Sequence, residues 1–543
     1  MRYLVTGSQM RAIDQYTIQN IGIPSLVLME RAAECVARKA ESLCDSMKDQ
    51  TAGKHLPGQR KPQKETPQIL VFCGVGNNGA DGVAAARMLY NHGYDVLVIV
   101  VGNETHATKE FEIQRGIAEK LEVQVTDWEQ FLQSENGQKD QVQLVQHQNR
   151  ERKRAIIDAV FGVGLSRDVE GVYAQVLDWI NEAEKEWVLA VDMPSGINSD
   201  TGAVMGTAVK VDVTVTFGYE KMGSAIYPGR GYCGQTEVCD IGFPEISRKI
   251  AGAEQFTYDP EDLERIPARP AYSNKGTFGK VLVVAGSADM SGAAYLCAKA
   301  AYSMGAGLVK IMTPQENRQI LQTLLPEAIL SSYRNGQEPE NLEKLSSQVE
   351  KNCSWADVIV LGPGMGQGST AKFLVQEFLS NAYVPMIIDA DGLNIIASDP
   401  DLTGFYTENL ILTPHLGEMA RLTGKTVPEI QEDLRFCAAE YSSDSGVICV
   451  LKDAATVVTG RDGQCYVNFS GNSAMAKAGS GDVLSGTIAG LVALGMENWD
   501  AAVLGVYVHG TAGDRVFAKK GPHGLLARDL TEEIASITAD AME

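Results

Sequence analysis

The hydrophobic and polar positions alternate along the chain in a simple way: short apolar runs, each closed by a glycine-rich or acidic loop, with helix-period segments between them. In the first half the runs Gln68 to Cys73, Tyr94 to Val101, Arg154 to Asp158 and Trp187 to Asp192 predict strands, followed by shorter β-rich segments, Val209 to Gly218 and Thr236 to Ile241. Residues 1 to about 47 predict helices, one opened by Ser8 to Asp14 and one with helical spacing from Pro24 to Ala37; Val83 to His92 predicts another. Two polar stretches, 48–67 and 134–153, read as inserted surface loops. Pro244, Pro260, Pro267 and Pro270 then crowd into a break, after which a second series begins: Lys280 to Ala285, Leu308 to Met312, Asp357 to Leu361, Pro385 to Asp389, Leu410 to Thr413 and Val447 to Leu451. Strands alternating with helices mean βαβ units and a mainly parallel sheet. No repeat relates the halves, so the expectation is two different α/β domains, 1–245 and 255–543.

Composition narrows the partners. At 543 residues, with 44% hydrophobic and 21% charged residues, the chain is long enough for two cores and has a globular balance. A net charge of −22 argues against nucleic acid and anionic membrane, and means that anionic ligands must be held by local features. No run is long enough to span a bilayer, and Met1 to Ser8 lacks the apolar core of a signal peptide. Ten cysteines without a Cys-x-x-Cys pair suggest reduced thiols in a cytosol. A cytoplasmic protein is expected.

Candidate chemistry sits where the strands end. Gly74-x-Gly76-x-x-Gly79 after the first strand matches a dinucleotide fingerprint, but Asp95 precedes the second strand, where a ribose-reading acid should follow it. Asp158 and Asp192 lie at the carboxyl ends of two further strands, the edge where open parallel sheets bind ligands. Singly, each reads equally well as a helix cap. Amide oxygens and carboxylates together would suit a hard cation.

Three stretches, Asn77-Asn-Gly-Ala-Asp-Gly82, Asp158-Ala-Val-Phe-Gly-Val-Gly-Leu165 and Val191-Asp-Met-Pro-Ser-Gly196, closely resemble the YjeF N-terminal family of NAD(P)H-hydrate epimerases. The resemblance implies a Rossmann-like three-layer α/β/α domain. It also implies a hydrate site lined by Asn77, Asn78, Gly79, Ala80 and Asp81, by Gly162, Val163, Gly164, Leu165, Ser166, Arg167 and Asp168, and by Asp192 facing the reacting ring. Potassium would be held by Asn78, Asp158 and Ser195. Ala80 stands where the family usually has glycine, tolerable unless that residue needs positive φ. Epimerisation at a carbon bearing OH beside a ring nitrogen needs stabilised charge and a proton relay, for which Asp192 is the candidate.

In the second half, Gly479-Ser-Gly-Asp482 precedes a helix-compatible run, Val483 to Leu494. Glycines at a helix start let a ligand approach, and free N–H groups there attract anions. The bland alternative is a turn with Asp482 as N-cap. Gly286 to Ala293, Gly362 to Gly366, Asp389 to Asn394, Thr413 to Glu418 and Lys452 to Thr456 supply further loops after strands. Alone, His415 reads as a capped-turn histidine and Lys452 as a solvated side chain; together the loops describe a nucleotide and substrate cleft.

These loops resemble the YjeF C-terminal family, nucleotide-dependent NAD(P)H-hydrate dehydratases of ribokinase-like three-layer α/β/α fold. Related kinases usually carry Thr or Ala at Ser480. The resemblance implies that Ala293, Gly366, His415 and Asp482 contact the hydrate, and that Lys452, Asp453, Ala454, Ala455, Thr456 and Gly481 contact the nucleotide. It further implies ADP as co-substrate with magnesium, NADHX and NADPHX as substrates, Asp482 as catalytic base, and a homo-oligomer. The alternative is a ribokinase-like small-molecule (vitamin-precursor) kinase with a ligand- or protein-binding N-terminal domain.

Overall fold

The computed structural model describes residues 1–50, 66–142 and 153–541. The polar stretches 48–67 and 134–153 lie mostly outside these residues. Their described N-terminal edges are helical rather than loop-like, in Ser25–Gln50 and Trp128–Val142. Two units emerge, Tyr3–Glu254 and Gln255–Glu543, the latter with Met1–Arg2.

In the N-terminal unit seven strands, Gln68–Gly74, Val96–Val101, Gln124–Asp127, Arg154–Ala159, Val188–Val191, Val213–Phe217 and Gln235–Cys239, form one parallel sheet in the spatial order third, second, first, fourth, fifth, sixth, seventh. The continuous apolar character of these strands has a cause. Alternate residues of the first strand enter different cores, Ile69, Val71 and Cys73 on one face and Leu70 and Phe72 on the other, so both faces are covered. Order reverses between the first and fourth strands, which opens a crevice at their carboxyl ends. Two expectations change. The segment 1–47 is not purely helical, since Arg2–Val5 is a strand in which Val5 pairs with Lys221. The helix expected from Val83 already begins at Asn77, because the helix closes directly on the strand end.

The C-terminal unit repeats the logic. Lys280–Val284, Leu308–Pro314, Ile329–Tyr333, Val358–Leu361, Met386–Ile388, Leu410–Leu412 and Ile448–Leu451 are parallel, again ordered third, second, first, fourth and onward. Val457–Thr459 and Cys465–Val467 continue the sheet antiparallel. Val281 and Val283 face one core while Leu282 and Val284 face the other. Every loop singled out after a parallel strand therefore opens on one edge of the sheet. The helix expected from Val483 runs from Ser480 to Ala493 and is buried almost throughout.

Candidate active sites

The N-terminal crevice is a cavity of about 630 Å³ at the carboxyl edge. Gly79 explains its closeness to the backbone: a Cβ there would stand 1.6 Å from the Gly74 carbonyl oxygen, so only glycine lets the helix start against the strand end. Ala80 is buried in that helix without positive φ, and its methyl is accommodated. Asn77, Asn78 and Asp81 line the cavity, as do Gly162, Val163, Gly164 and Leu165. Ser166, Arg167 and Asp168 do not line it and are exposed.

Asp192 reaches the same cavity from the end of Val188–Val191, with φ +65, a conformation that non-glycine residues adopt rarely and at a cost. Its carboxylate is paired with the fully buried Lys221 ammonium and accepts from the Phe217 N–H and the Thr216 hydroxyl, each at 3.2 Å. Lys221 also donates to Thr216 Oγ1 at 2.9 Å. Lys221 was missed by sequence reasoning. Its one signal is a lysine set in an otherwise small and apolar segment, Met222-Gly-Ser-Ala-Ile226. Burial, then the neighbouring charges of Asp192 and Asp14, pushes Asp81 well above the usual carboxylate range against the pull of Lys221. Asp14, also in the lining, is raised by burial and by Glu110.

Below this lies an oxygen-rich nest. Asp158 is fully buried and accepts from Ser195 N (2.8 Å), Ser195 Oγ (2.6 Å) and Val160 N (3.3 Å). Burial pushes it up to about 6 against those hydrogen bonds. Asn78 abuts Gly162, and its buried amide nitrogen has no partner. A half-turn of that amide would present its oxygen instead.

In the C-terminal unit Gly479, at φ +92, is the N-cap of the helix, so Asp482 stands in the first turn rather than at the cap. A helix leaves the N–H groups of this turn without intrahelical partners. Lys452 is brought there from the loop after Ile448–Leu451: a Cβ on Gly481 would sit 3.3 Å from its ammonium. Lys452 is only partly exposed and not a free solvated side chain. It is ion-paired at 2.7 Å with Asp389, which is 1% exposed. Burial tends to lower Lys452, but Asp389 and Glu418 hold it above its ordinary value. Asp482 is pushed up to about 7 by burial and the charge of Asp389, with Lys452 opposing.

The other loops converge. His415 pairs with Lys452 through a backbone bridge and caps Leu416–Thr423, its Nδ1 accepting from Gly417 N at 3.0 Å. Gly366 N donates to Asp391 at 2.8 Å, and a Cβ on the neighbouring Gly364 would meet Ala293 at 2.8 Å. Ala455 is buried, Asp453 and Thr456 are partly buried, and Ala454 is exposed. Asp389, Asp391 and Ser485 had no individual role in the sequence reading. Among the described residues no cluster of three His, Cys, Asp or Glu could hold a metal ion, and no helix is long and apolar enough to cross a membrane.

Two mainly parallel sheets, each with a carboxylate–lysine pair at its carboxyl edge, the first beside a cavity and the second beside a helix start, define a two-domain α/β enzyme. A family model described as YjeF-related protein N-terminus matches residues 25–223, and one described as NAD(P)H-hydrate dehydratase matches residues 281–536. Relatives named bifunctional NAD(P)H-hydrate repair enzyme Nnr match along nearly the whole chain. That of Moorella thermoacetica is 36% identical over 98% of this chain and 95% of its own, and that of Thermofilum pendens is 35% identical over 95% and 93%. A solved ADP/ATP-dependent NAD(P)H-hydrate dehydratase from Bacillus subtilis is 29% identical, covering 52% of this chain and 98% of its own, with a TM-score of 0.44. The chain belongs to the family of bifunctional NAD(P)H-hydrate repair enzymes.

Proposed function

We propose that the N-terminal domain interconverts the R and S hydrates of NADH and NADPH, and that the C-terminal domain dehydrates the S form at the expense of ADP, releasing AMP and phosphate. Near-full-length relatives named bifunctional NAD(P)H-hydrate repair enzyme, with a family model described as NAD(P)H-hydrate dehydratase over residues 281–536, favour this over a kinase with a binding domain. The observation that carries it is Asp482: a carboxyl held near neutrality in the first turn of a helix, beside a lysine and open N–H groups.

Hydroxide is a poor leaving group and phosphate a good one. Asp482 takes the proton of the hydrate hydroxyl as the terminal phosphoryl group of ADP reaches that oxygen, and AMP departs. Lys452 and the first-turn N–H groups, with Gly481 allowing close approach, stabilise the transferred anion. The ring nitrogen then pushes out phosphate, and loss of a proton from the adjacent carbon restores the double bond. Lys452 to Thr456 would flank the nucleotide, while Ala293, Gly366 and His415 would flank the hydrate. Magnesium would enter the site carried on the ADP phosphates rather than on ligands of this chain.

In the N-terminal domain Asn77 to Asp81, Gly162 to Leu165 and Asp192 would bind the hydrate, with Ser166 to Asp168 left outside the cavity. Nitrogen-assisted loss of the hydroxyl as water, and its return to the other face, inverts the carbon. Asp192, paired with Lys221, relays the proton and steadies the cationic ring. The unpartnered Asn78 amide, the Asp158 carboxylate and the Ser195 hydroxyl form an oxygen set that fits potassium, whose charge would offset that of Asp158. We further propose a cytoplasmic homo-oligomer.

The test follows recovery of reduced nicotinamide absorbance from a mixture of both NADH-hydrate epimers with ADP. Near-complete recovery, absent in Asp482→Asn, supports both activities. Recovery that halts once one epimer is consumed, faster than spontaneous epimerisation refills it, sinks the epimerase assignment. No recovery with ADP or ATP sinks the dehydratase.

A further inference from the structure

Asp389 makes more bonds in the C-terminal cleft than the reaction as derived has used. It closes the strand Met386–Ile388 and is buried, yet it is fully partnered. Lys452 Nζ and its own neighbour Ala390 N donate to Oδ1 at 2.7 and 2.9 Å, and Ser485 Oγ donates to Oδ2 at 2.7 Å. Ser485 stands one turn beyond Asp482 on the same helix. Ala390 takes φ +50, unusual for a residue with a Cβ, to let the chain turn after the carboxylate. A buried acid on one element thus holds the lysine of a second and the reactive helix of a third.

We infer that Asp389 is a positioning residue for the dehydratase, a bridge that fixes Lys452 against the reacting hydroxyl and clamps the helix bearing Asp482. The inference rests on the dehydratase reading above. Two consequences follow from the charges around Asp482. It is faced by Asp389, by Asp391 of the helix Asp391–Ser398, by Lys452, and by the Cys297 thiol of Ser291–Met304, itself held high by burial and by the charges of Asp482 and Asp389. Lys452 is faced in turn by Glu418 of Leu416–Thr423 and by His509 of Asn498–Gly524, which burial lowers to about 4 and so leaves neutral. Asp389 is itself ionised: burial works against its charge, but Lys452 and the Ser485 and Thr413 hydroxyls hold it below the ordinary range. Its negative charge therefore raises Asp482, and it also occupies the one lysine that would lower it. Removing that charge should move Asp482 down and misplace Lys452 together.

The experiment compares kcat against pH for the full-length chain and for Asp389→Asn and Asp389→Glu, acting on the S hydrate of NADH with ADP. Wild type should rise with pH through a limb near 7, where Asp482 loses its proton. Asp389→Asn should lose about 10²-fold in kcat, the scale of an ångström-size misplacement. Its limb should fall by about one pH unit, the effect of losing a like charge nearby. Asp389→Glu keeps the charge, so its limb should stay while kcat falls. A near-wild-type rate in Asp389→Asn, or a reduced rate with the limb unmoved, overturns the inference and leaves Asp389 a folding residue. Should Asp389→Asn not fold, Ser485→Ala decides: a drop of about tenfold or more with the limb in place supports the bridge, and an unchanged rate overturns it. If wild type recovers no reduced nicotinamide, the functional reading fails first, a separate outcome.

Discussion

The Lys221 ammonium is fully buried against the Asp192 carboxylate, and both residues line the same cavity. Breaking a buried pair by removing one partner leaves an uncompensated charge and costs about 3–5 kcal/mol. Lys221→Met should therefore destabilise the N-terminal domain on that scale and abolish epimerisation. Recovery of NADH from the S hydrate by the C-terminal domain should continue. Two melting transitions followed with separate assays of the two hydrates check this. Full epimerase activity in Lys221→Met would show that Asp192 works without its lysine.

Gly79 offers a purely steric prediction. A methyl there would overlap the Gly74 carbonyl oxygen at 1.6 Å, and the atoms it meets are all Gly74 backbone, with no flexible side chain to give way. Gly79→Ala should cost about 3 kcal/mol or more, the upper range for overpacking. Chemical denaturation should show the loss in the N-terminal transition. Gly76→Ala, where a Cβ meets nothing within 4 Å, is the control and should be close to neutral.

Strands buried on both faces were legible because both cores demand apolar side chains, as in Lys280–Val284 and Arg154–Ala159. Ile329–Tyr333 was not: it lies at the sheet edge, mostly part-exposed, and its Ser331 and Ser332 break the apolar run. Val457–Thr459 is fully buried but only three residues long, too short to show a period. Asn77 to Gly82 reads locally as a loop. It is helix because Gly79 allows contact with Gly74, a tertiary fact. The same holds for chemistry. Asp192 and Asp482 stand in recognisable loops, whereas Lys221 gains its place from a pairing with Val5, and Asp389 from bonds to Lys452 and Ser485 that no local pattern announces.

If the nest of Asn78, Asp158 and Ser195 holds potassium, exchange of potassium for lithium should slow epimerisation and leave the dehydratase untouched when the S hydrate is supplied. A smaller ion cannot satisfy the same spaced oxygens as well. Asn78→Ala removes the amide and should lose the potassium response along with most of the activity. A wild-type epimerase rate that is the same in both salts would sink the cation assignment.

Asp482→Asn tests the base from its energetic side as well as its chemical one. Loss of a general base should cost about 10²–10⁴ in dehydratase kcat. Stability should move the opposite way, and only at high pH. The folded chain holds Asp482 at about 7 against the usual 3.8, so the native state prefers the protonated form. The stability that this preference contributes is fully present below the unfolded value and is lost as pH rises through 7, where the folded chain must carry a buried charge. Asparagine never takes that charge. The variant should therefore melt higher than wild type at about pH 8 and no higher at about pH 4, where wild type keeps its proton. Screening by Lys452, and the partial exposure of the carboxyl, should limit the gain to a fraction of the full linkage value. Calorimetry of the C-terminal transition at the two pH values reads the difference directly. Equal melting temperatures at high pH would mean that Asp482 ionises without cost, and a base poised near neutrality would no longer describe it.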